Sequence, residues 1–188
     1  MNLNAMPGLA FSEYNIFLEV AVVPLDIILL GYILSAYKER SDELKAFIRM
    51  VAFVCAADII DVITAVVTGM HGRVSNPAHI FLNSLDCVGA TLSAFSFVLF
   101  VQSYVHNEKY SQYLKLHNFG VLAIYVYLLV SNLVTGYVFY YDEYGNYVHG
   151  ELFTLVAYIF PLYFIIFGSV YLLLHHIFYK KKQLQILG

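Results

Sequence analysis

Long apolar runs alternate with short polar connectors along the chain. A helix of about 20 apolar residues crosses a bilayer, and five runs reach that length, at about 15–37, 46–70, 78–105, 119–140 and 152–179. The connectors are short, so neighbouring helices are expected to pack antiparallel as one transmembrane domain over residues 1–188. The last connector reads VFYYDEYGNYVHGE, with aromatic residues on both sides of a turn-forming run. Gly145 and Asn146 tolerate the positive φ of a tight turn. The pattern predicts a short β-hairpin, Val138–Asp142 against Tyr147–Gly150, lying over the mouth of the bundle.

Composition sharpens this picture. The chain is 61% hydrophobic and 12% charged, with a mean hydropathy of +0.72. A soluble domain of 188 residues needs far more polar surface. The fold class expected is therefore an all-α integral membrane bundle. A net charge of −3, with no basic cluster interleaved with aromatics, argues against nucleic acid. The two cysteines, Cys55 and Cys87, sit in apolar runs without a CxxC pair and read as small buried hydrophobes. The opening MNLNAMPGLAFSEYN has no Lys or Arg, unlike the basic start of a signal peptide, so the first run reads as a retained span.

Basic residues set the orientation. Lys38, Arg40, Lys45, Arg49, Lys109, Lys115 and Lys180–Lys182 share one side; only Arg73 falls on the other. The N-terminus is thus expected outside, the C-terminus inside and the hairpin on the extracytoplasmic face. Tyr14, Tyr37, Tyr104, Tyr140, Tyr141 and Tyr179 crowd the span ends, where an interfacial belt places them. After the lysines the chain reads QLQILG, where apolar residues resume. That ending predicts a chain cut before a further helix.

Glu19, Asp26, Asp58, Asp61 and Asp86 fall within the spans. A charged Asp at a helix centre costs about 2.5–3.5 kcal/mol on insertion scales. At about 1.5 Å per residue, all five lie between the outer surface and the midplane. Glu19 and Asp26 are one heptad apart, while Asp58 and Asp61, like Asn83 and Asp86, share a face at i, i+3 spacing. Pro24 would free a carbonyl between the first two. Facing one another, the stripes would line a polar pocket open to the outside. Each acid taken singly could instead be a protonated packing contact of about 0.6 kcal/mol. Bound protons or a cation would satisfy the set. Oxygen ligands favour Ca²⁺ or Mg²⁺, and His71 and His79 could turn that towards a transition metal. Their separation around Pro77 has no ligand spacing, so no metal site is assigned. His106, His117, His175 and His176 read as interfacial polar residues. Gly89 and Ser93, continued by Ser96, form a small-xxx-small pattern that predicts close packing and a central place for the third helix.

The arrangement Asn132, Thr135, Gly136, Phe139, Asp142, Gly145, Tyr147 and Gly150, read as N..TG..F..D..G.Y..GE, resembles the N-terminal multispan region of bacterial membrane diguanylate cyclases with a GGDEF output domain. Similar regions precede some sensor histidine kinases. The resemblance implies a bacterial cytoplasmic-membrane sensor domain in signal transduction, followed by a sixth helix and a cytoplasmic cyclase or kinase output. It also implies a homodimer as the signalling arrangement. No GGDEF-like run occurs in this chain, so it is not expected to be an enzyme itself, and no catalytic residue or cofactor is assigned. The expected ligand-binding set is Glu19, Asp26, Asp58, Asp61, Asn83, Asp86 and Asn132, with Tyr144 and His149 in the hairpin lid. The ligand is an extracytoplasmic small molecule or cation of unassigned identity; the other partner is the lipid bilayer. The alternative is a proton or cation transporter, or an accessory membrane subunit, using the same carboxylates. A relay needs an inner half, which offers mainly Ser93, Ser96, Gln102 and Ser103. An intramembrane enzyme is disfavoured, because neither HExxH nor GxSxG occurs.

Overall fold

The computed structural model of the chain describes residues 17–36, 41–68, 75–105, 108–143 and 147–186, with side chains over 20–36, 41–67, 75–105, 112–143 and 147–177. Five α-helices are present: α1 (Phe17–Ala36), α2 (Asp42–Thr68), α3 (Asn76–Val105), α4 (Glu108–Thr135) and α5 (Phe160–Ile186). Strands β1 (Phe139–Tyr141) and β2 (Tyr147–His149) pair antiparallel between α4 and α5, with Tyr140 opposite Val148. A π-helical turn, Leu155–Ile159, leads into α5.

Four stretches are long and apolar enough to cross a membrane: Asp42–Val67, Asn76–Val105, Gln112–Thr135 and Leu155–Ile177; α1 carries a shorter apolar stretch, Val20–Ala36, over its described residues. Their outward faces are apolar too. Leu116, Tyr127, Leu133 and Val134 are all exposed. A soluble monomer rarely shows apolar patches beyond a few hundred Å², and helices apolar all round are those of a membrane span or a deep core. The protein is an all-α membrane bundle.

Local sequence sets where the helices begin and end. The Ser41 hydroxyl accepts the Leu44 amide at 3.3 Å, and Asp42 and Glu43 occupy the first turn of α2, where the helix dipole favours acids. Pro77 stands in the first turn of α3, where its missing N–H costs nothing. Pro24 lies inside α1 without ending it. The fourth apolar run extends to about residue 140 on a 20-residue span criterion, yet α4 stops at Thr135. Gly136 adopts φ +65° there, and its amide donates to the Asn132 carbonyl at 3.0 Å. A left-handed residue just past the last turn is a helix stop, and no apolarity scale registers it. The fifth helix runs on through the lysines to Ile186.

The π turn has a cause in the sequence. Pro161 has no N–H to give the preceding turn, so the α ladder cannot run unbroken through this point. The Phe160 amide instead reaches back to the Leu155 carbonyl, the wider register of a π turn.

The helix α3 is central, packing most extensively on α2 and α5, while α1 packs on α2. A Cβ placed on Gly89 would lie 3.3 Å from both Cα and Cβ of Ala57, so the α2 and α3 backbones touch there. The Ser93 hydroxyl sits 3.0 Å from the Phe53 carbonyl of α2 and 2.9 Å from its own Gly89 carbonyl. On the other side of α3, Gly168 of α5 leaves room for Phe97, and Phe95 meets Phe164 edge to face at 5.3 Å. Towards the hairpin, Cys87, Tyr125, Leu129, Val138, Phe139 and Val156 form one buried cluster. The α4–α5 seam is closed at its other end by Tyr163, hydrogen-bonded with His117 at 2.8 Å and 3.4 Å from Asn118.

Gly89→Leu is expected to force α2 and α3 apart and destabilise the bundle by about 1–3 kcal/mol, as overpacking does. Gly31, where an added Cβ would meet nothing within 4 Å, tolerates the same change. Thermal unfolding of the two variants in detergent, beside the parent chain, checks the contrast.

Candidate functional site

The intramembrane acids come from three helices. Asp26 on α1 and Asp58 on α2 both act electrostatically on the buried Cys55 thiol. Asp61 on α2 and Asp86 on α3 act on one another, and Asp86 also reaches the fully buried Tyr125 phenol of α4. Asp26 is half-buried, and its Oδ2 is buried with no hydrogen-bond partner among the described residues. Asp26 and Asp58 thus share Cys55 as a neighbour, while Asp61 lies in range of Asp86, which extends to Tyr125. The close α2–α3 approach at Gly89 and Ala57 is what brings Asp61 and Asp86 into range.

The other expected residues divide. The Asn83 Nδ2 donates to the His79 carbonyl of its own helix at 2.9 Å. Buried His79 meets the Tyr141 ring edge-on at 5.8 Å. The side chain of Glu19, and all of His71 and Tyr144, lie outside the described residues. Among the described residues, no three His, Cys, Asp or Glu side chains converge on a point that could hold a metal ion.

Asn132 has a structural role that its sequence context does not reveal. As an intramembrane asparagine beside a lid it reads as a ligand-binding group. In the structure it is buried, and its Oδ1 accepts the amides of Val138 at 2.7 Å and Phe139 at 3.1 Å. Its Nδ2 donates to the Phe139 carbonyl at 3.0 Å. This one side chain satisfies the backbone of the reversal between α4 and β1, where neither helix nor sheet can. The rest of the motif around it is similarly committed. Gly136 supplies the left-handed turn. Phe139 is buried in the core and meets the tilted ring of Tyr147 at 5.8 Å. A Cβ on Gly150 would collide with the Tyr137 carbonyl, which itself accepts the Leu152 amide at 2.8 Å. His149 lies flat on Phe153, with ring centroids 3.6 Å apart.

A cleft of about 770 Å³ opens at this end, between the start of α3, the last turn of α4 and the hairpin. Asn132 and His149 line it, but Asp26, Asp58, Asp61 and Asp86 do not. The hairpin cleft and the four acids are therefore separate features. Sequence reasoning passed over Tyr137, Tyr141 and Glu151 as cleft residues, and Tyr125 as a neighbour of Asp86. The clustered tyrosines of the connector were the available signal for the first group; Tyr125, one aromatic among many in an apolar run, gives none. Outside the spans, burial raises the Tyr141 phenol above its ordinary pKa and keeps it a neutral hydrogen-bonding group.

No family model, no curated protein and no solved structure matches this chain.

Asn132→Ala is expected to leave the buried Val138 and Phe139 amides without acceptors, at about 1–3 kcal/mol for each unsatisfied group. Asn132→Asp keeps the acceptor and loses only the donor, so it should fall between Ala and the parent. Hydrogen exchange at the Val138 and Phe139 amides, read with the unfolding midpoint, checks the order of the three proteins.

Proposed function

We propose that the chain is the membrane-embedded sensory input domain of a signalling protein in the bacterial cytoplasmic membrane. In this reading five helices span the bilayer, with the N-terminus and hairpin outside and the C-terminus inside. An external small molecule or ion binds two packings of the bundle with unequal affinity and shifts their populations. A cytoplasmic cyclase or kinase domain, in a homodimer, receives the change. The chemistry of output lies outside this sequence, which has no GGDEF run. The resemblance of the hairpin motif to the membrane regions of diguanylate cyclases points the same way.

The observation that carries the proposal is that carboxylates from separate helices lie within electrostatic range of shared groups: Asp26 and Asp58 both act on Cys55, and Asp61 acts on Asp86. No Lys or Arg occurs in the sequence at 50–72 or 74–108 to neutralise them. Acidic groups in an apolar setting are satisfied by protons, by a cation or by hydrogen bonds from neighbouring groups. Occupancy of either pair changes the energy of the α1–α2 and α2–α3 seams, and so couples ligand to packing. A second support is mechanical. The hairpin core residue Phe139 packs in the same cluster as Val156 of the π turn, so the outer end has a direct route to α5.

Transport through the same carboxylates is less well supported. Towards the far end of α3, Ser93 and Ser96 spend their hydroxyls on the backbone carbonyls of Phe53, Gly89 and Ser93. Buried Gln102 has both amide atoms without a hydrogen-bond partner among the described residues, but a relay needs a continuous run of such groups.

Thermal unfolding of the purified chain in detergent, across pH and against alkali and alkaline-earth cations, tests the acids as the responsive element. An ion held at 100 times its Kd raises stability by about 2.7 kcal/mol. That shift is expected in the parent and absent from Asp58→Asn with Asp61→Asn. A flat response, with the double variant as stable as the parent, would reduce the acids to protonated packing contacts.

A further inference from the structure

The hairpin cleft is a second candidate site, apart from the paired acids. Three of its walls are tyrosines: Tyr137 and Tyr140, both exposed, and half-buried Tyr141. Exposed Glu151 stands at its rim. Its volume of about 770 Å³ lies within the range of about 300–1,000 Å³ typical of small-molecule sites. The charge around it is one-sided. Asp142, Glu143 and Glu151 belong to this connector, while residues 116–179 contain no Lys or Arg at all. Aromatic faces bind ammonium groups through their quadrupoles, and a nearby carboxylate adds Coulomb attraction. The connector offers a small anion no Lys or Arg, only the His149 imidazole, which stacks on Phe153.

The cleft also has fixed walls. Asn132 clamps the backbone at Val138 and Phe139, and Gly150 packs against the Tyr137 carbonyl. The backbone carrying Tyr137, Tyr140 and Tyr141 is therefore ordered before any ligand arrives, which lowers the entropic cost of binding. Tyr137 and Tyr140 both line the cleft and are exposed.

We propose that the cleft between the α4 end and the hairpin binds a small organic cation of the substituted-ammonium class, held by Tyr137, Tyr140 and Tyr141 and by the carboxylate of Glu151. The ammonium group could belong to a free solute or to a lipid headgroup; the recognition chemistry is the same. This site is independent of the acid pairs, so it stands or falls apart from the sensor proposal.

The test is calorimetric titration of the full chain in a maltoside detergent with choline and tetramethylammonium, beside 3,3-dimethylbutanol, a neutral analogue of choline's shape. Choline and tetramethylammonium are expected to bind and the neutral analogue to bind at least about 10-fold more weakly, since the attraction is to charge. Tyr137→Ala with Tyr140→Ala should weaken choline by about 10-fold or more, and Glu151→Gln by several-fold, with the unfolding midpoint of each variant unchanged because these side chains lie at the surface. Asp58→Asn with Asp61→Asn should leave choline binding intact. If free choline does not bind, nanodiscs of phosphatidylcholine and of phosphatidylglycerol provide the lipid arm. Protection of Tyr140 from iodination in the first lipid alone assigns the cleft to a headgroup. Equal binding of the neutral analogue, loss of binding in the Asp58/Asp61 variant but not the tyrosine variant, or no binding and no lipid-specific protection would each overturn the proposal.

Discussion

Gly89 has no side chain because Ala57 occupies the place where one would begin. In lipid this contact matters more than it would in water. Hydrocarbon tails are as apolar as Leu, so burial does not draw membrane helices together; close packing and hydrogen bonds do. At Gly89 the backbones of α2 and α3 come close enough for Ser93 to reach a carbonyl of the neighbouring helix. The α2–α3 pair is the most extensive interface of the bundle, and α1 and α5 are added to its two sides. The placing of Asp61 in range of Asp86 follows from it. A larger residue at position 89 would move acids as well as helices, which is why structure and chemistry cannot be separated at this seam.

The hairpin end solves a different problem. A chain leaving α4 must reverse beside the core, and each exposed amide of the reversal needs a partner. Asn132 supplies three hydrogen bonds from inside the last turns of the helix, Gly136 permits the left-handed bend, and Gly150 lets the second strand return against the Tyr137 carbonyl. The motif that resembles a sensor family is thus explained residue by residue as folding chemistry over most of its length. The proposed cation site draws on the motif's final Glu151 and on Tyr137 and Tyr140, which the motif leaves out.

How much of this could be read from the sequence depends on the range of the interaction. Spans of apolar residues and the Gly89–Ser93 pattern are periodic and local, so the membrane bundle and the central place of α3 were legible. The end of α4 was not, because apolarity continues through Tyr137 and Val138 while one φ angle at Gly136 stops the helix. Asn132 looked like a ligand group because an asparagine in an apolar run has no local reason to be there; its reason is the backbone a few residues on. The acids recur at helical spacing along each run, but spacing alone does not say which neighbour each acid meets. Merging them with the hairpin into one pocket required an approach between distant parts of the chain that the packing does not make.

The junction of hairpin and α5 bears on how a signal could travel. A π turn holds one more residue than an α turn, so converting one into the other rotates everything beyond it by about 100°, one residue of a 3.6-residue turn. Such a change is costly in the middle of a helix because the ladder bonds must all exchange. At Leu155–Ile159 the cost is reduced, since Pro161 has already removed one donor from the ladder. The same turn carries Val156, packed against the hairpin core, and follows Leu152, tied to the Tyr137 carbonyl. The most easily rearranged turn of α5 is therefore also the one that touches the hairpin. On the sensor reading, an event at the hairpin need not push α5 along its length. Adding or removing one residue from the π turn would suffice to turn the helix that faces the cytoplasm.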